Sequence, residues 1–288
     1  MIFDPSLDVM SNVEEASGLD MQLVDTMGSV FLSYNCENGY FADVNVRKAC
    51  DYAIDEAAMV DNVLYGYGKA TKNTPVNASL YVSDKEGWEN QYNNELVDYS
   101  YDVEKAKEYL QKSAYPDGFE CTLVGRNDSS TFKTIALIVQ SSLKEIGITV
   151  NIEESSNDQW VSNAYNHTKA DGSPYDMIIY EWYPDYPDPS GYLEPVFGSV
   201  GCQTGGSNTS LYSNSKFDDL ITQELSTVDD MERQKLMQEA TAIINEDTPS
   251  DFLYLILSKF IYRDNLEVPE ISSGISLWGF YVKDIHTK

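Results

Sequence analysis

The sequence lacks any apolar run of the roughly 18 residues that a membrane-spanning helix needs. It contains no CxxC motif, and its 2 histidines, His167 and His286, lie in polar surroundings where we expect them to be solvated. The segment GYGKATK at 66–72 does not have the GxxxxGK[ST] spacing of a phosphate-binding loop. These absences exclude a structural zinc motif, a histidine-rich metal site and a P-loop nucleotide site.

Positive charge is scarce in this chain of 288 residues, which has 19 Lys and Arg against 47 Asp and Glu and a formal net charge of -28. Such a charge disfavours nucleic acids and anionic membranes as partners. It fits a solvated, soluble surface, and a preference for a cationic ligand is the second interpretation. Hydrophobic residues make up 42% of the chain, which indicates a globular protein with one large domain or two smaller ones.

Cysteine occurs at four positions that are far apart: Cys36, Cys50, Cys121 and Cys202. Cys50 and Cys121 lie in apolar patterns and are expected to be buried thiols, and the spacing does not support a disulfide. Residues 1–20 lack the basic start and apolar core of a secretory signal peptide. Taken alone, this favours a cytoplasmic protein, unless the chain is a piece of a longer one.

Apolar periodicity and capping residues predict alternating strands and helices, which favours a parallel or mixed sheet with right-handed crossovers. We expect short strands and turns over 1–42, one helix from Asp43 to the GYG at 66–68, and a long ordered loop over 69–100. The later expected elements are helix 102–111, strand 120–125, helix 131–145, strand 148–152, a short helix over 160–165, strand 176–182, helices 215–225 and 230–245, strand 252–263, and loop with a short strand up to 288.

The stretch 176–193, DMIIYEWYPDYPDPSGYL, begins as an apolar strand and continues as a loop that three prolines stiffen. This loop carries Asp185 and Asp188 among Trp182, Tyr183 and Tyr186. Carboxylates among aromatic rings suit an ammonium group or a sugar, and they repel a phosphate. The stretch is therefore the first candidate for a binding loop.

Two further loops follow the other predicted strands, namely 125–128 with Arg126 and Asn127, and 155–160. If the three strands are parallel neighbours, the three loops meet at the carboxyl edge of the sheet, where open α/β sheets bind ligands. Arg126 is then either a solvated surface arginine or a receptor for a ligand carboxylate.

Asp185 is the first choice as a ligand contact, because a hydrogen bond from an ammonium group contributes about 1.5–3 kcal/mol. The plainer alternative makes Asp185 and Asp188 turn residues, and for Asp188 we prefer a capping role at the helix after Pro189. Trp182 is either a core residue or a wall of the site. A glycosidase-like carboxylate pair is disfavoured, because both carboxylates would lie in one tight loop and chance pairs are common among 47 acidic residues.

Five sequence blocks resemble, in order, those of the peptide-binding and nickel-binding extracellular solute-binding proteins of ABC importers, which form solute-binding protein family 5. The blocks are YNCENGYFADVNVRKACDYAIDEAAMVDNVLYGYG, YSYDVEKAKEYLQKSAYPDGFECTL, IVQSSLKEIGITVNI, YDMIIYEWYPDYPDPSGYLEPVFGS and LYSNSKFDDLITQELSTVDDMERQKLMQEATAIINEDTP. The resemblance covers about residues 30–260. It departs from the family at Tyr40, where proline is usual, and at Ala114-Tyr115, where a glycine is missing.

The resemblance implies an α/β, periplasmic-binding-protein-like fold (type II, cluster C), of which this chain would be the second lobe. That lobe is expected to have a central mixed, largely parallel sheet flanked by helices. Residues 1–35 would belong to the first lobe or hinge, 36–259 to the C-terminal ligand-binding lobe, and 260–288 would return to the hinge. The absence of a signal peptide is then uninformative.

The implied function is capture of short peptides between two lobes and delivery to ABC permease subunits, with no enzymatic activity and no cofactor or metal. The implied location is the periplasm or the outer face of the cytoplasmic membrane, with a lipoprotein anchor. Nickel complexes, oligosaccharides or another small solute are the alternative ligands within the family.

The resemblance also suggests roles for single residues. It matches Asp185 to an aspartate that pairs with the ligand's α-amino group, and Trp182 to an aromatic residue of the pocket. Arg126 falls near the position that holds a ligand carboxylate in dipeptide binders. The predicted ligand-binding set is Asp185, Trp182, Tyr183, Tyr186, Arg126 and Asn127.

Overall fold

The protein is built around one mixed β-sheet with helices on both faces. The computed structural model describes residues 1–37, 39–81, 83–271 and 285–288. Its helices are α1 (Met10–Glu15), α2 (Val44–Ala53), α3 (Glu56–Asn62), α4 (Lys85–Asn94), α5 (Val103–Lys112), α6 (Ser130–Glu145), α7 (Asn157–Asn166), α8 (Ser190–Phe197), α9 (Ser215–Ser226) and α10 (Asp230–Asp247). Its strands are β1 (Ile2–Phe3), β2 (Leu19–Tyr34), β3 (Gly68–Lys69), β4 (Phe119–Arg126), β5 (Ile148–Ser155), β6 (Met177–Trp182), β7 (Ser250–Arg263), β8 (Leu266–Glu267) and β9 (His286–Thr287).

The seven-stranded sheet has the order β1-β7-β2-β6-β4-β5, and β3 pairs with β7 outside this path. Strand β4 pairs in parallel with both β5 and β6, so the three strands expected to be parallel neighbours are confirmed as such. Strand β2 is antiparallel to both β6 and β7. The expected mixed sheet is thus confirmed, with its parallel part limited to these three strands.

Helices cover the sheet on both faces because its central strands are apolar on both sides. In β6, Met177 and Ile179 pack into one apolar cluster with α2, α5 and α6. Ile178 and Tyr180 point the other way, into a second cluster with α7, α8, α9 and α10. This alternation follows the two-residue period of a strand. None of the helices in the described ranges is long and apolar enough to cross a membrane.

The expectation of short strands and turns over 1–42 is wrong, because β2 is one strand of 16 residues and α1 precedes it. Polar residues and Gly28 interrupt its apolar pattern. At the same place the register of β2 against β7 shifts between Asp25 and Ser29. Within this shift, the side chain of Thr26 donates a 2.7 Å hydrogen bond to the carbonyl of Ile256. Because the bulge breaks the alternation of apolar and polar residues, the sequence pattern does not indicate one continuous strand.

The single helix expected between residues 43 and 66 is also wrong, because α2 and α3 are separate. Asp43 caps α2 as expected, but Ile54 is extended and Asp55 caps α3 by accepting a 2.8 Å hydrogen bond from the Ala58 amide. A second capping residue in the middle of an apolar pattern starts a new helix.

The long loop expected over 69–100 contains the helix α4, which sequence periodicity does not reveal. Trp88 provides its main apolar anchor, with 1% exposure, and donates a 2.7 Å hydrogen bond from its indole Nε1 to Gln234 on α10. A polar helix held by one tryptophan carries no amphipathic signal. Tertiary packing therefore decides this segment.

The expected surface position of His167 is wrong, because this residue ends α7 in a left-handed conformation and is only 7% exposed. His286 is exposed as expected, and the buried thiols of Cys50 and Cys121 are confirmed. The expected short strand of the sequence GFYVKDI at 279–285 lies almost entirely outside the described residues.

Three carboxyl groups meet in the interior where α2, α3 and β7 join. Asp51 is 0% exposed and Asp251 is 1% exposed, and the carboxyl group of Glu56 lies next to that of Asp251. Asp51 accepts hydrogen bonds from the Tyr34 hydroxyl at 2.8 Å and the Asn73 amide at 2.7 Å. These neutral donors satisfy oxygen atoms without compensating charge, so at most part of the cluster can be ionised.

Burial raises the pKa of Asp51 and Glu56, and the neighbouring Asp251 raises both further. Burial also raises the pKa of Asp251, to about 7. The nearest cations have other partners, since Arg47 donates to backbone carbonyls, at 2.6 Å for that of Asp247, and Lys48 pairs with Glu246. They oppose the rise in the pKa of Asp51 only in part.

We predict that the variant Asp251→Asn is stabilised relative to the wild type as the pH rises from about 5 to 8. The folded pKa of Asp251 lies above its unfolded value, so its protonated form supports the fold below about pH 4 and this support is lost as the pH passes about 7. The gain is on the order of 1.4 kcal/mol per pKa unit between the two states. Urea unfolding across this pH range measures it.

The matched control is Asp61→Asn, which removes one negative charge from an exposed position on α3. We expect the control to keep the pH dependence of the wild type. If both variants show the same pH dependence, the buried cluster does not control it.

Candidate functional site

The three loops predicted to form the site lie together at the carboxyl edge of β4, β5 and β6. Arg126 and Ser155 pair at the ends of β4 and β5, and the Asn127 amide donates a 2.9 Å hydrogen bond to the Ser155 carbonyl. Arg126 also donates from Nη1 to Glu181 on β6 at 2.8 Å. These contacts join loops 125–128, 155–160 and 182–190 into one surface. The side chain of Asn127 is exposed on it.

The side chain of Arg126 occupies the middle of this surface. Its Nε and Nη2 each donate a 3.0 Å hydrogen bond to Asp128, in the two-pronged geometry that guanidinium and carboxylate favour. The hydrogen bond with Asp128 and the nearby Glu181 raise the pKa of Arg126, and the same bond lowers the pKa of Asp128. Arg126 is thus already compensated by two carboxylates, which the sequence did not indicate.

Two aromatic rings enclose the guanidinium group of Arg126. Its Cζ atom lies 4.7 Å from the ring centre of Phe132 on α6 and 4.9 Å from that of Trp160 on α7. Trp160 is fixed in turn by a 2.9 Å hydrogen bond from its Nε1 to the Ile179 carbonyl. Cation–π contacts of this kind contribute about 0.5–2 kcal/mol each.

The aromatic residues of the 182–190 loop are held to different degrees. Trp182 is half-buried and donates a 3.3 Å hydrogen bond from Nε1 to the Gly191 carbonyl, so it serves both as packing and as part of the surface. Tyr183 lies over Gly28 of β2, where an added Cβ would come within 2.5 Å of its ring. Tyr186 is 47% exposed. Gly28 thus makes room for Tyr183. The sequence does not indicate this role, because Gly28 lies where the apolar pattern of the strand is interrupted.

The two aspartates of the loop differ in their surroundings. Asp188 binds Arg233 through Oδ1 at 3.2 Å and Oδ2 at 2.5 Å, and it accepts a 3.0 Å hydrogen bond from the amide of Ser190, the first residue of α8. Asp188 therefore accepts from the first residue of α8, as a capping role would require, although the residue at the N-cap position itself is Pro189. Asp185 is exposed, and no hydrogen bond or ion pair links it to any residue of the described ranges. Only Asp185 offers an uncompensated carboxylate.

Arg233 on α10 connects the loop to the helical layer, and sequence analysis did not identify it. It also binds Glu224 of α9 at 2.5 Å, a residue with 3% exposure of its side chain. Burial raises the pKa of Asp188, but the hydrogen bonds from Arg233 and Ser190 outweigh it and leave that pKa lowered. For Glu224, burial outweighs the hydrogen bond from Arg233, so the pKa of this carboxyl group is raised. Arg233 and Asp188 are 45 residues apart in the sequence, so no local pattern indicates that they form an ion pair.

Known proteins share this fold. A family model described as "Bacterial extracellular solute-binding proteins, family 5 Middle" matches residues 1–203. The structure of the periplasmic binding protein DppA from Helicobacter pylori in complex with the peptide STSA superimposes with a TM-score of 0.79 at 24% identity, over 93% of this chain and 49% of that one. The fold is therefore that of a periplasmic binding protein.

Relatives by sequence agree with this assignment. Heme-binding protein A from Haemophilus influenzae is 30% identical over 80% of this chain and 40% of its own length. Glutathione-binding protein GsiB from Escherichia coli is 25% identical over 86% of this chain and 46% of its own length. The chain belongs to the family 5 bacterial extracellular solute-binding proteins, and not to a family of enzymes, as the sequence predicted. It spans less than half the length of these curated relatives.

We predict that Arg233→Gln destabilises the protein by about 3 kcal/mol, because it leaves the buried carboxylates of Asp188 and Glu224 without a cation. Chemical denaturation measures the loss. Arg263→Gln is the control, since Arg263 is exposed at the end of β7 and its loss should cost less than about 0.5 kcal/mol. Equal losses in the two variants would show that the Asp188–Arg233–Glu224 contacts add nothing to stability.

Proposed function

We propose that this chain is the C-terminal lobe of an ABC-importer solute-binding protein that captures short peptides by their free amino group. The observation that carries the proposal is Asp185, an exposed and uncompensated carboxylate at the carboxyl edge of three parallel strands. The exposed ring of Tyr186 and the half-buried ring of Trp182 flank it in the sequence. An ammonium group would find a charge partner there and apolar surface beside it.

The remaining parts of the proposal concern the whole protein. In this proposal residues 36–259 belong to the ligand-binding lobe, and 1–35 and 260–288 lead to a first lobe that is not in this chain. The lobe also includes β2 from the first of these segments, because β2 lies between β6 and β7 in its sheet. The two lobes close on the ligand by a hinge motion, and the closed form docks on membrane permease subunits outside the cytoplasmic membrane. Family membership supports this arrangement, as does the share of the relatives' length that the chain spans.

We predict that Asp185→Asn weakens peptide binding by the full-length, two-lobed protein by about 10-fold to 100-fold, because one hydrogen bond to a charged group is worth about 1.5–3 kcal/mol. Calorimetry with a tripeptide and with its N-acetylated form measures the effect. The wild type should bind the acetylated peptide as weakly as the variant binds the free one.

Asp171→Asn serves as the control, since Asp171 is exposed in the loop before β6, at the opposite end of that strand. It should leave the affinity unchanged. Equal affinity of the wild type for free and acetylated peptides would refute the role of Asp185. Tight binding of a nickel–histidine complex or an oligosaccharide, with no peptide binding, would replace the proposed ligand by another solute.

A further inference from the structure

The charges at the carboxyl edge of β4, β5 and β6 are strongly one-sided. Residues 126–130, 155–160 and 181–190 contain a single cationic side chain, that of Arg126. The same three segments contain five carboxylates: Asp128, Asp158, Glu181, Asp185 and Asp188. Of these, only Asp188 is paired with a cation from outside the segments, namely Arg233. The edge is therefore net negative even after every ion pair that the structure describes there is counted.

The only arginine of this edge is not free to receive an anionic group. Its side chain is 14% exposed, and three of its five N–H donors are bonded to Asp128 and Glu181. The rings of Phe132 and Trp160 cover its faces. One guanidinium between two carboxylates carries a net charge of about −1 as a unit. A ligand carboxylate would have to approach this unit against repulsion.

Asp158 and Asp185 add two further uncompensated charges to the same edge. Both Asp185 and the Arg126–Asp128–Glu181 unit lie on loops that strands β4 and β6 bring side by side. In a cleft between two lobes, carboxylates on a low-dielectric wall attract cations and repel anions. No cation of the described residues pairs with Asp185, and the two lysines nearest the edge have other partners: Lys133 lies 4.0 Å from Glu154, and Lys259 pairs with Asp4.

We propose that the ligand class of this site is cationic peptides, in which a basic side chain accompanies the free amino group, and that Asp128 and Glu181 determine this specificity by neutralising Arg126. The inference rests on the proposed function, since it assumes that the edge faces the ligand. Arg126 is then a positioning residue that holds two carboxylates in place, and not the receptor for the ligand carboxylate.

The first test compares three tripeptides that differ only in the middle residue: Ala-Lys-Ala, Ala-Met-Ala and Ala-Glu-Ala. We expect calorimetry on the full-length protein at low salt to rank them Lys, Met, Glu, with about a tenfold step between neighbours. The steps should shrink as salt is raised, because salt screens exposed charges. Equal binding, or tighter binding of the Glu peptide, overturns this inference and leaves the proposed function standing. Failure of all three peptides to bind overturns both.

The second test releases Arg126 from its partners with the double variant Asp128→Asn/Glu181→Gln. We expect its affinity for the Glu peptide to rise about tenfold and its affinity for the Lys peptide to fall by a similar factor. The control Asp171→Asn/Asp219→Asn removes two negative charges from exposed positions away from the edge and should keep the wild-type ranking. If the double variant also keeps that ranking, Asp128 and Glu181 do not determine specificity. A loss of folding would not reverse the order of two ligands, so the reversal separates specificity from stability.

Discussion

The antiparallel pairing of β2 with β6 on one side and β7 on the other is the constraint on which the rest of the structure depends. In this pairing Ser29 lies opposite both Trp182 and Leu255, so one strand sets the positions of two others that follow far later in the chain. It places the end of β6, and with it the 182–190 loop, beside the bulge of β2. Tyr183 then fits over Gly28, the one residue type without a Cβ to obstruct it.

The parallel half of the sheet builds on this frame. Once β6 is fixed, β4 pairs with it and β5 pairs with β4, and the crossover helices return over the faces of the sheet. The three strand ends therefore meet at one edge, where the chain places its carboxylates and aromatic rings. Two half-buried arginines stabilise this edge, Arg126 within it and Arg233 on the adjacent helix α10. Their ion pairs compensate Asp128, Glu181 and Asp188 and leave Asp158 and Asp185 without a cation, so that Asp185 remains available to a ligand.

Much of this arrangement could be predicted from the sequence. Helices α5 and α6 have strong apolar periodicity and capping residues at their starts, and strands β4, β5 and β6 are marked by apolar runs. These local signals correctly predict the elements of the fold. The position of Asp185 could be predicted as well, because it follows a strand directly. The roles of Arg126 and Arg233 could not, since each depends on carboxylates brought together by strand pairing or helix packing and not by nearness in sequence.

By itself, the amino-acid sequence determined the family, the three parallel strands and the acidic, aromatic character of the loop after β6. Each of these features depends on short-range sequence patterns or on composition. Only the tertiary structure decided that β2 is one bulged strand, that α4 exists, and which of the two loop aspartates remains unpaired. The physical reason is the same in each case. Contacts between residues that are far apart in the sequence stabilise the bulge, the polar helix that packs through Trp88, and the ion pair. Sequence spacing does not show such contacts.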